Sequence, residues 1–461
     1  MEIETDDLIT MASFAINRAK AAGMDGSVIN AELNQTYSTR YANSAIHQNF
    51  MDYETKFEVT VIHGLKKVRV VTNSLQESSI RWAVDRGIKM VKYLPDDPDF
   101  PGILTEPQNY PKLKLNDPKA RNLSPSDVAD KVISGINTGH EYSPKVQSVS
   151  GNLILKDGVS FFVSSEGLEH LAPITGITTT INVMSKEGVE ESRSQNSFGG
   201  RRFSELPMEE EASEVAQRAV MGLRAEEIEA KTYTVILDYP AAADQMFWLG
   251  YAFSAQRVLD HESFLQDKMG EQLFSKSLSM MNDPHNPAFL AARALDEEGV
   301  ASQPYTLVKE GVVENYAHTR MTANKMGTKS NGCSFIVFGE QDPMPFATKI
   351  SAGNKTRDQL IEGLDDGLLV TNLHYSNYID VTRGTVTGMT KDGLYIVKNG
   401  EIVGAAKNLR FTDSLLHMFS QLEASKESRQ VFPFWGQILN RTLITPIMRI
   451  ESMNFSSKTS H

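Results

Sequence analysis

Residues 233–261 constrain the fold of this chain more than any other stretch. The stretch begins with the aliphatic run 235–237 and reaches Pro240, and the residues that follow contain no helix breaker except Gly250. A short apolar strand, a proline and a long apolar segment together predict a strand that leads directly into a helix. We therefore expect a two-part protein with this strand-to-helix step at its centre.

Two similar rounds of predicted elements precede this step. The first round is predicted to have a helix over 8–19, strands over 28–34, 36–46, 54–62 and 67–71, and a helix over 77–94. The second is predicted to have a helix over 125–138, strands over 147–155, 159–164 and 176–185, and a helix over 212–223. A polar segment rich in proline, 95–123, connects them. Because the order recurs, we interpret residues 1–230 as one duplicated α+β domain.

The residues after the step are mainly strand-like. The predicted strands are 305–309, 312–316, 334–338, 378–386, 394–397 and 401–405. The last two flank an Asn399-Gly400 turn of the kind that closes hairpins. Short helices are predicted over 356–366 and 412–424, the second capped by Thr412 or Asp413. The whole chain is therefore predicted to be α+β, with a strand-rich C-terminal domain over residues 231–461 after the duplicated one.

Charge and cysteine content exclude several classes of protein. The formal net charge is −12, which repels phosphate backbones and anionic lipid, so we expect no nucleic-acid partner and no membrane-surface partner. The single cysteine, Cys333, excludes an intrachain disulfide. The chain begins with an acidic amphipathic segment, and no window approaches the roughly 18 apolar residues of a membrane span. We expect a cytoplasmic protein.

Several motifs follow the central step in a fixed order. They are Asn282-Asp283-Pro284, Asp296-Glu297-Glu298-Gly299-Val300, Ser302-Gln303, Val308-Lys309-Glu310-Gly311 and Gly327-Thr328-Lys329-Ser330-Asn331-Gly332. This order and spacing resemble the C-terminal half of the TldD/PmbA family, a metalloprotease-like family of peptide processing. The resemblance covers about 20–450 and is clearest over 233–332. In the TldD-like branch it implies a helix with His-Glu-x-x-x-His, whose histidines hold a catalytic zinc and whose glutamate is the general base.

The sequence departs from that branch at the zinc motif. Gln245, Met246 and Gly250 stand where the first histidine, the glutamate and the second histidine would be. None of them supplies the neutral imidazole that zinc prefers or the carboxylate that activates water. A cysteine ligand that the TldD-like branch carries before its closing strand is missing as well, and Cys333 lies far upstream. The chain thus resembles the PmbA (TldE) branch, which implies no cofactor in this chain and zinc in a TldD-like partner.

The segment 320–332 resembles a run that the family carries near its peptide cleft. Its candidate cleft residues are Arg320, Lys329, Ser330, Asn331 and Gly332. A glycine-containing loop with exposed donors can approach a peptide backbone closely. An ordinary helix end followed by a loop explains the segment equally well.

Three other features have a plain interpretation that we prefer. Cys333 has no nearby base in sequence and is expected to be a small buried hydrophobe rather than a nucleophile. The run 199–202, Gly-Gly-Arg-Arg, lacks phosphate-loop spacing and is predicted to be a solvated turn. His261 and Glu262 have no second histidine at helical spacing, so they are predicted to belong to a polar helix end.

Two functions from different classes remain open. The first is a non-catalytic PmbA/TldE-like subunit of a heteromeric zinc metallopeptidase, which pairs with a TldD-like subunit and acts on unfolded peptides or peptide precursors. The resemblance suggests that the peptide is held partly by strand addition. The second is a stand-alone peptide-binding or structural homodimer without proteolysis.

Overall fold

The computed structural model of the protein describes residues 5–337, 340–433 and 442–459. Its N-terminal elements are α1 (Thr5–Ala21), β1 (Gly26–Ala42), β2 (Ala45–His63), β3 (Lys66–Thr72), α2 (Glu77–Val91), α3 (Pro125–Glu141), β4 (Val146–Ser164), β5 (Glu169–Glu187), β6 (Glu190–Gly200) and α4 (Met208–Met221). Two short 3-10 helices lie at Ala120–Asn122 and Phe203–Glu205. Within the described residues, the strands form one antiparallel sheet of six in the order β3-β2-β1-β4-β5-β6.

The order of helix, strands and helix is the predicted one in both rounds, but the strands are longer than predicted. The chain turns at Asn43 and Ser44, which both have positive φ, so the strand predicted over 36–46 belongs to two strands. The segments predicted as separate strands over 147–155 and 159–164 are continuous in β4, and β6 was not predicted at all. Polar residues that sequence patterns interpret as a break, such as Lys156 and Asp157, pair regularly with β1 and β5.

The six-stranded sheet has one apolar face and one polar face. Along β1, Ile29, Ala31 and Leu33 are buried in the cluster that the sheet forms with α1 and α2. The alternate residues Asn30 and Glu32 point to the opposite face, because successive side chains of a strand alternate. The helices α3 and α4 cover the apolar side of β4 and β5 in the same way. The polar face therefore remains for contact with the rest of the chain.

The C-terminal elements build a second, mixed sheet. They are β7 (Thr232–Leu237), α5 (Tyr239–Ala252), α6 (Ala255–Leu259), β8 (Met280–Asn282), β9 (Tyr305–Lys309), β10 (Val312–Val313), α7 (Arg320–Lys325), β11 (Ser334–Val337), β12 (Glu340–Pro343), β13 (Ala347–Ile350), α8 (Arg357–Glu362), β14 (Asp366–Asp380), β15 (Thr385–Lys398), β16 (Glu401–Ala405), β17 (Leu409–Ser414), α9 (Leu415–Met418), β18 (Leu422–Val431) and β19 (Thr442–Lys458). Strand β7 pairs in parallel with β14 and antiparallel with β19, and β17 and β15 link those two, so part of the sheet closes on itself. The fold is α+β with a strand-rich C-terminal half, as predicted.

The helix predicted over 412–424 is wrong in most of its length. Residues 409–414 form β17, in which Thr412 pairs with Thr387 of β15. Only α9, four residues long, is helical, and β18 begins at Leu422. The predicted cap Asp413 instead accepts a hydrogen bond from the backbone N–H of Asn454 in β19. Pairing with strands distant in sequence has overridden a local helix signal.

The strand-to-helix step is present where the sequence predicted it. Strand β7 ends at Leu237, Asp238 caps α5, and Pro240 occupies the first turn of the helix. The helix is mostly apolar, and its residues from Ala241 to Gly250 are all buried, Asp244 and Gln245 among them. Among the helices that the structure describes, none is long and apolar enough to cross a membrane.

Arg201 joins the N-terminal sheet to the C-terminal half through backbone carbonyl groups. Its guanidinium donates hydrogen bonds to the carbonyl oxygens of Leu115, Thr175, Pro287, Phe289 and Leu290. Burial lowers the pKa of this guanidinium to about 10. The prediction of a solvated turn at 199–202 is therefore wrong for Arg201, because carbonyls far apart in the sequence converge on it.

We expect Arg201→Ala to destabilise the protein by on the order of 3 kcal/mol, because it leaves several buried carbonyl groups without donors. The urea midpoint of unfolding, followed by circular dichroism, measures the change. Arg202→Ala is the matched control, since Arg202 is 65% exposed and pairs with the exposed Glu205. It should stay within about 0.5 kcal/mol of the native protein. Equal midpoints for the two variants would contradict this account of Arg201.

Candidate functional site

The three zinc-motif positions lie inside the core. Gln245 and Met246 are fully buried, Gly250 is buried beside them on α5, and Met246 belongs to the large apolar cluster of the C-terminal half. An amide, a thioether and a residue without a side chain do not fit the donor set that zinc takes. Within the described ranges, no group of three or more His, Cys, Asp or Glu is placed to hold a metal ion. The absence of zinc from this chain stays a prediction.

A buried carboxyl group lies immediately before the first of these positions. Asp244 is almost completely buried, and Gln245 Nε2 donates a hydrogen bond to its Oδ2 at 3.2 Å. Burial raises the pKa of Asp244 to about 6, although hydrogen bonds from Ser376 and Gln245 oppose the increase. Sequence reasoning missed this group. The signal for it was an acidic residue within an otherwise apolar helical run.

An ionised carboxylate fixes the start of the same helix. Asp238 Oδ1 accepts a hydrogen bond from the N–H of Tyr239 at 2.9 Å, and its Oδ2 lies 3.4 Å from Arg218 and 3.5 Å from Arg357. Burial alone would raise the pKa of Asp238, but the two guanidinium groups lower it. These contacts therefore hold the start of α5 in place.

The loop predicted to approach a peptide is folded back on itself. Ser330 Oγ donates to the carbonyl oxygen of His318 at 3.0 Å, and Asn331 bonds both the N–H of His318 and the carbonyl oxygen of Tyr316 at 2.8 Å. Two of the predicted donors are thus engaged within the loop. Gly332 has a φ of 68°, and a Cβ there would lie 2.6 Å from the Cα of Ser302, so only glycine fits.

The other two cleft candidates are in different surroundings. Lys329 is exposed. Arg320 donates to the carbonyl oxygen of Gly102 at 2.8 Å, and its N–H donates to Glu298. It also lines a cavity of about 200 Å³ at the junction of the two halves, with Glu58 and Lys67. The structure therefore does not gather the five candidates around one opening, and their contact with a peptide stays a prediction.

A larger cavity, which the sequence did not indicate, lies between the polar face of the N-terminal sheet and the loop 290–297. Its volume of about 480 Å³ is within the roughly 300–1,000 Å³ of ligand sites. Its floor consists of alternate residues of β1, β2, β4 and β5, including Glu32, Asn34, Lys56 and Ser160. Only the tertiary structure shows this polar face and the loop that covers it.

Comparison with known proteins agrees with this architecture. A family model described as the PmbA/TldA metallopeptidase C-terminal domain matches residues 230–457. A metalloprotease of Methanocaldococcus jannaschii is 24% identical over 77% of this chain and 79% of its own length. The PmbA homologue of Haemophilus influenzae is 22% identical over 92% of each chain. The chain belongs to the TldD/PmbA family.

A solved structure shows the same fold. TldE from Thermococcus kodakarensis superposes with a TM-score of 0.87 at 18% identity, covering 97% of this chain and all of that one. The family resemblance predicted from the motifs is thereby confirmed. The comparisons do not test whether this TldD/PmbA member lacks the zinc site. That prediction depends on the residues at 245, 246 and 250.

The TldD/PmbA motifs outside α5 have structural roles in this chain. Asn282 accepts the N–H of Ala347 through Oδ1, at 2.9 Å, and so ties β8 to β13. Asp296 accepts the N–H groups of Glu298, Val300 and Ser334, and burial raises its pKa well above the ordinary value. Cys333 is buried within 3.1 Å of the Tyr305 hydroxyl, so the expectation of a buried cysteine is confirmed.

We expect Asp244→Asn to gain stability over the native protein as pH rises from about 4 to about 6, by on the order of 2–3 kcal/mol, and then to level off. The raised pKa means that the folded state keeps a proton which the unfolded state has already released. Increasing pH in this window therefore destabilises the native protein but not the variant.

Urea unfolding at a series of pH values measures this difference. Asp260→Asn, at the exposed end of α6, is the control for replacing a carboxyl group by an amide. A flat difference for Asp244→Asn would show that this carboxyl group titrates in the ordinary range.

Proposed function

We propose that this chain is the non-catalytic, PmbA/TldE-like subunit of a heteromeric zinc metallopeptidase, in which a TldD-like subunit holds the zinc and performs the hydrolysis. The observation that supports this role is the replacement of all three helix positions, by Gln245, Met246 and Gly250, within a helix that is buried on every side. A hydrolytic zinc site needs an open position for water or substrate. In this proposal the fold is retained for assembly and for peptide binding.

The substrate in this proposal is an unfolded peptide or peptide precursor. Extended peptides are commonly bound by adding a strand to a free sheet edge. Residues 45–56 of β2 extend beyond the last residue that pairs with β3, so among the described residues this part of β2 lies at an edge of the N-terminal sheet. Such edges offer main-chain donors and acceptors without requiring one side-chain sequence, which suits a peptidase that acts on diverse unfolded chains.

Co-expression with a His-Glu-x-x-x-His protein encoded nearby tests the assembly. We expect the two chains to co-purify as a heterodimer that cleaves an unfolded peptide, and each chain alone to be inactive on it. Size-exclusion chromatography with light scattering gives the stoichiometry. A stable homodimer that does not bind the candidate partner would instead favour the alternative function, a stand-alone peptide-binding or structural homodimer.

We expect the purified chain to contain far less than one zinc ion per molecule after loosely bound metal is removed, because the helix positions offer no suitable ligands. Inductively coupled plasma mass spectrometry measures the content, and a TldD-like protein prepared in parallel is the positive control. Stoichiometric zinc together with peptidase activity of this chain alone would overturn the proposed division of roles.

A further inference from the structure

The cavity between the N-terminal sheet and the loop 290–297 has a floor of small and polar side chains set by strand register. Glu32 of β1 lies directly between Lys56 of β2 and Ser160 of β4. Asn34 follows on the same face of β1, opposite Gly158. Gly158 has no side chain, and Asn34 Oδ1 lies 2.6 Å from where its Cβ would be.

The cations that line the cavity already have partners. Lys56 lies 3.5 Å from Glu58, and Lys156 lies 2.6 Å from Glu54. Arg293 lies 3.3 Å from Glu297. The remaining guanidinium, that of Arg201, is bonded to the five backbone carbonyls described above. A ligand carboxylate or phosphate would have to displace one of these partners.

The acceptors on the floor, in contrast, include groups without partners. The carboxylate of Glu32 makes no ion pair or hydrogen bond within the described residues, whereas Glu297 pairs with Arg293 and Asp296 accepts three backbone N–H groups. Asn34 is only 6% exposed, and its Oδ1 has no hydrogen-bond partner in the described part of the chain. A carboxylate that lines a cavity without a partner favours a ligand that donates, whereas the Asn34 oxygen has almost no accessible surface and is not open to one.

We propose that this cavity binds a primary ammonium group of a peptide. An ammonium carries three donors, and the Glu32 carboxylate and the Ser160 hydroxyl, which lie side by side in the strand register, supply acceptors on the floor. Either the α-amino group of the peptide or a lysine side chain provides this chemistry. The inference rests on the proposed peptide-binding function and adds a site for it.

Titration calorimetry of the isolated chain tests the site with three probes. They are tetra-alanine amide, its N-acetyl form and N-acetyl-Ala-Lys-Ala-Ala amide. Binding of the first at least about tenfold tighter than the second identifies the α-amino group as the source, and recovery of binding by the third identifies a lysine side chain. In either case Glu32→Gln should weaken the ammonium-bearing probe by about tenfold and leave the acetylated tetra-alanine probe unchanged.

A cavity-filling variant supplies an independent check. A Cβ at Gly176 would meet only Leu290, at 3.9 Å, so Gly176→Leu should occupy the cavity and abolish binding of every probe. Gly404→Leu, at a strand glycine outside the cavity with no atom within 4 Å of its Cβ, is the control and should bind as the native chain does. Unchanged thermal midpoints show that each variant is folded.

The proposal is overturned if no probe binds, if free and acetylated peptides bind alike with no lysine preference, or if Glu32→Gln has no effect. These outcomes are independent of the assembly experiment, since they are measured on this chain without a partner. Failure of co-purification with normal ammonium binding would sink the heteromeric role alone. Normal assembly without ammonium binding would sink this site alone.

Discussion

The C-terminal half depends on the carboxylate of Asp238, because it fixes the helix around which that half packs. Its side chain caps α5, its N–H bonds the carbonyl oxygen of Val370 at 2.9 Å, and Arg218 and Arg357 neutralise it. Removing one partner of such a buried pair typically costs about 3–5 kcal/mol, because the remaining charge stays in a low-dielectric site. Arg218 belongs to α4, so one residue orients the central helix and also connects it to the N-terminal half.

Arg201 makes the second connection, and it does so without a carboxylate. Its contacts hold residues 287–290 against the end of β6 and against Thr175 of β5. The chain that follows, 291–297, then crosses the polar face of the sheet, where it covers the cavity. The cavity thus results from the position in which Arg201 holds this loop and from the small residues beneath the loop. Because Arg201 bonds backbone carbonyl groups, the nearby carboxylates remain available to other partners.

Local patterns were sufficient for some elements and insufficient for others. The β7–α5 step and the Asn399-Gly400 hairpin were predictable because composition and turn chemistry specify them within a few residues. The helix predicted over 412–424 failed because β17 is held by β15 and β19, which are distant in sequence. The roles of Arg201 and Glu32 were equally out of reach, since each depends on segments that meet only in the folded chain.

The burial of α5 explains why reinstating zinc ligands by simple substitution would conflict with this fold. Burying a methionine side chain such as that of Met246 contributes about 1.5–3 kcal/mol, and a glutamate at the same place would bring an unpaired charge into the apolar cluster. The nearby Asp244 shows the same cost of burying a charge, because burial raises its pKa to about 6 and favours its neutral form. A helix that has become part of the core stabilises the protein best without charged ligands. Under the proposed function, the contribution of this chain to peptide processing therefore comes from its edges and its cavity.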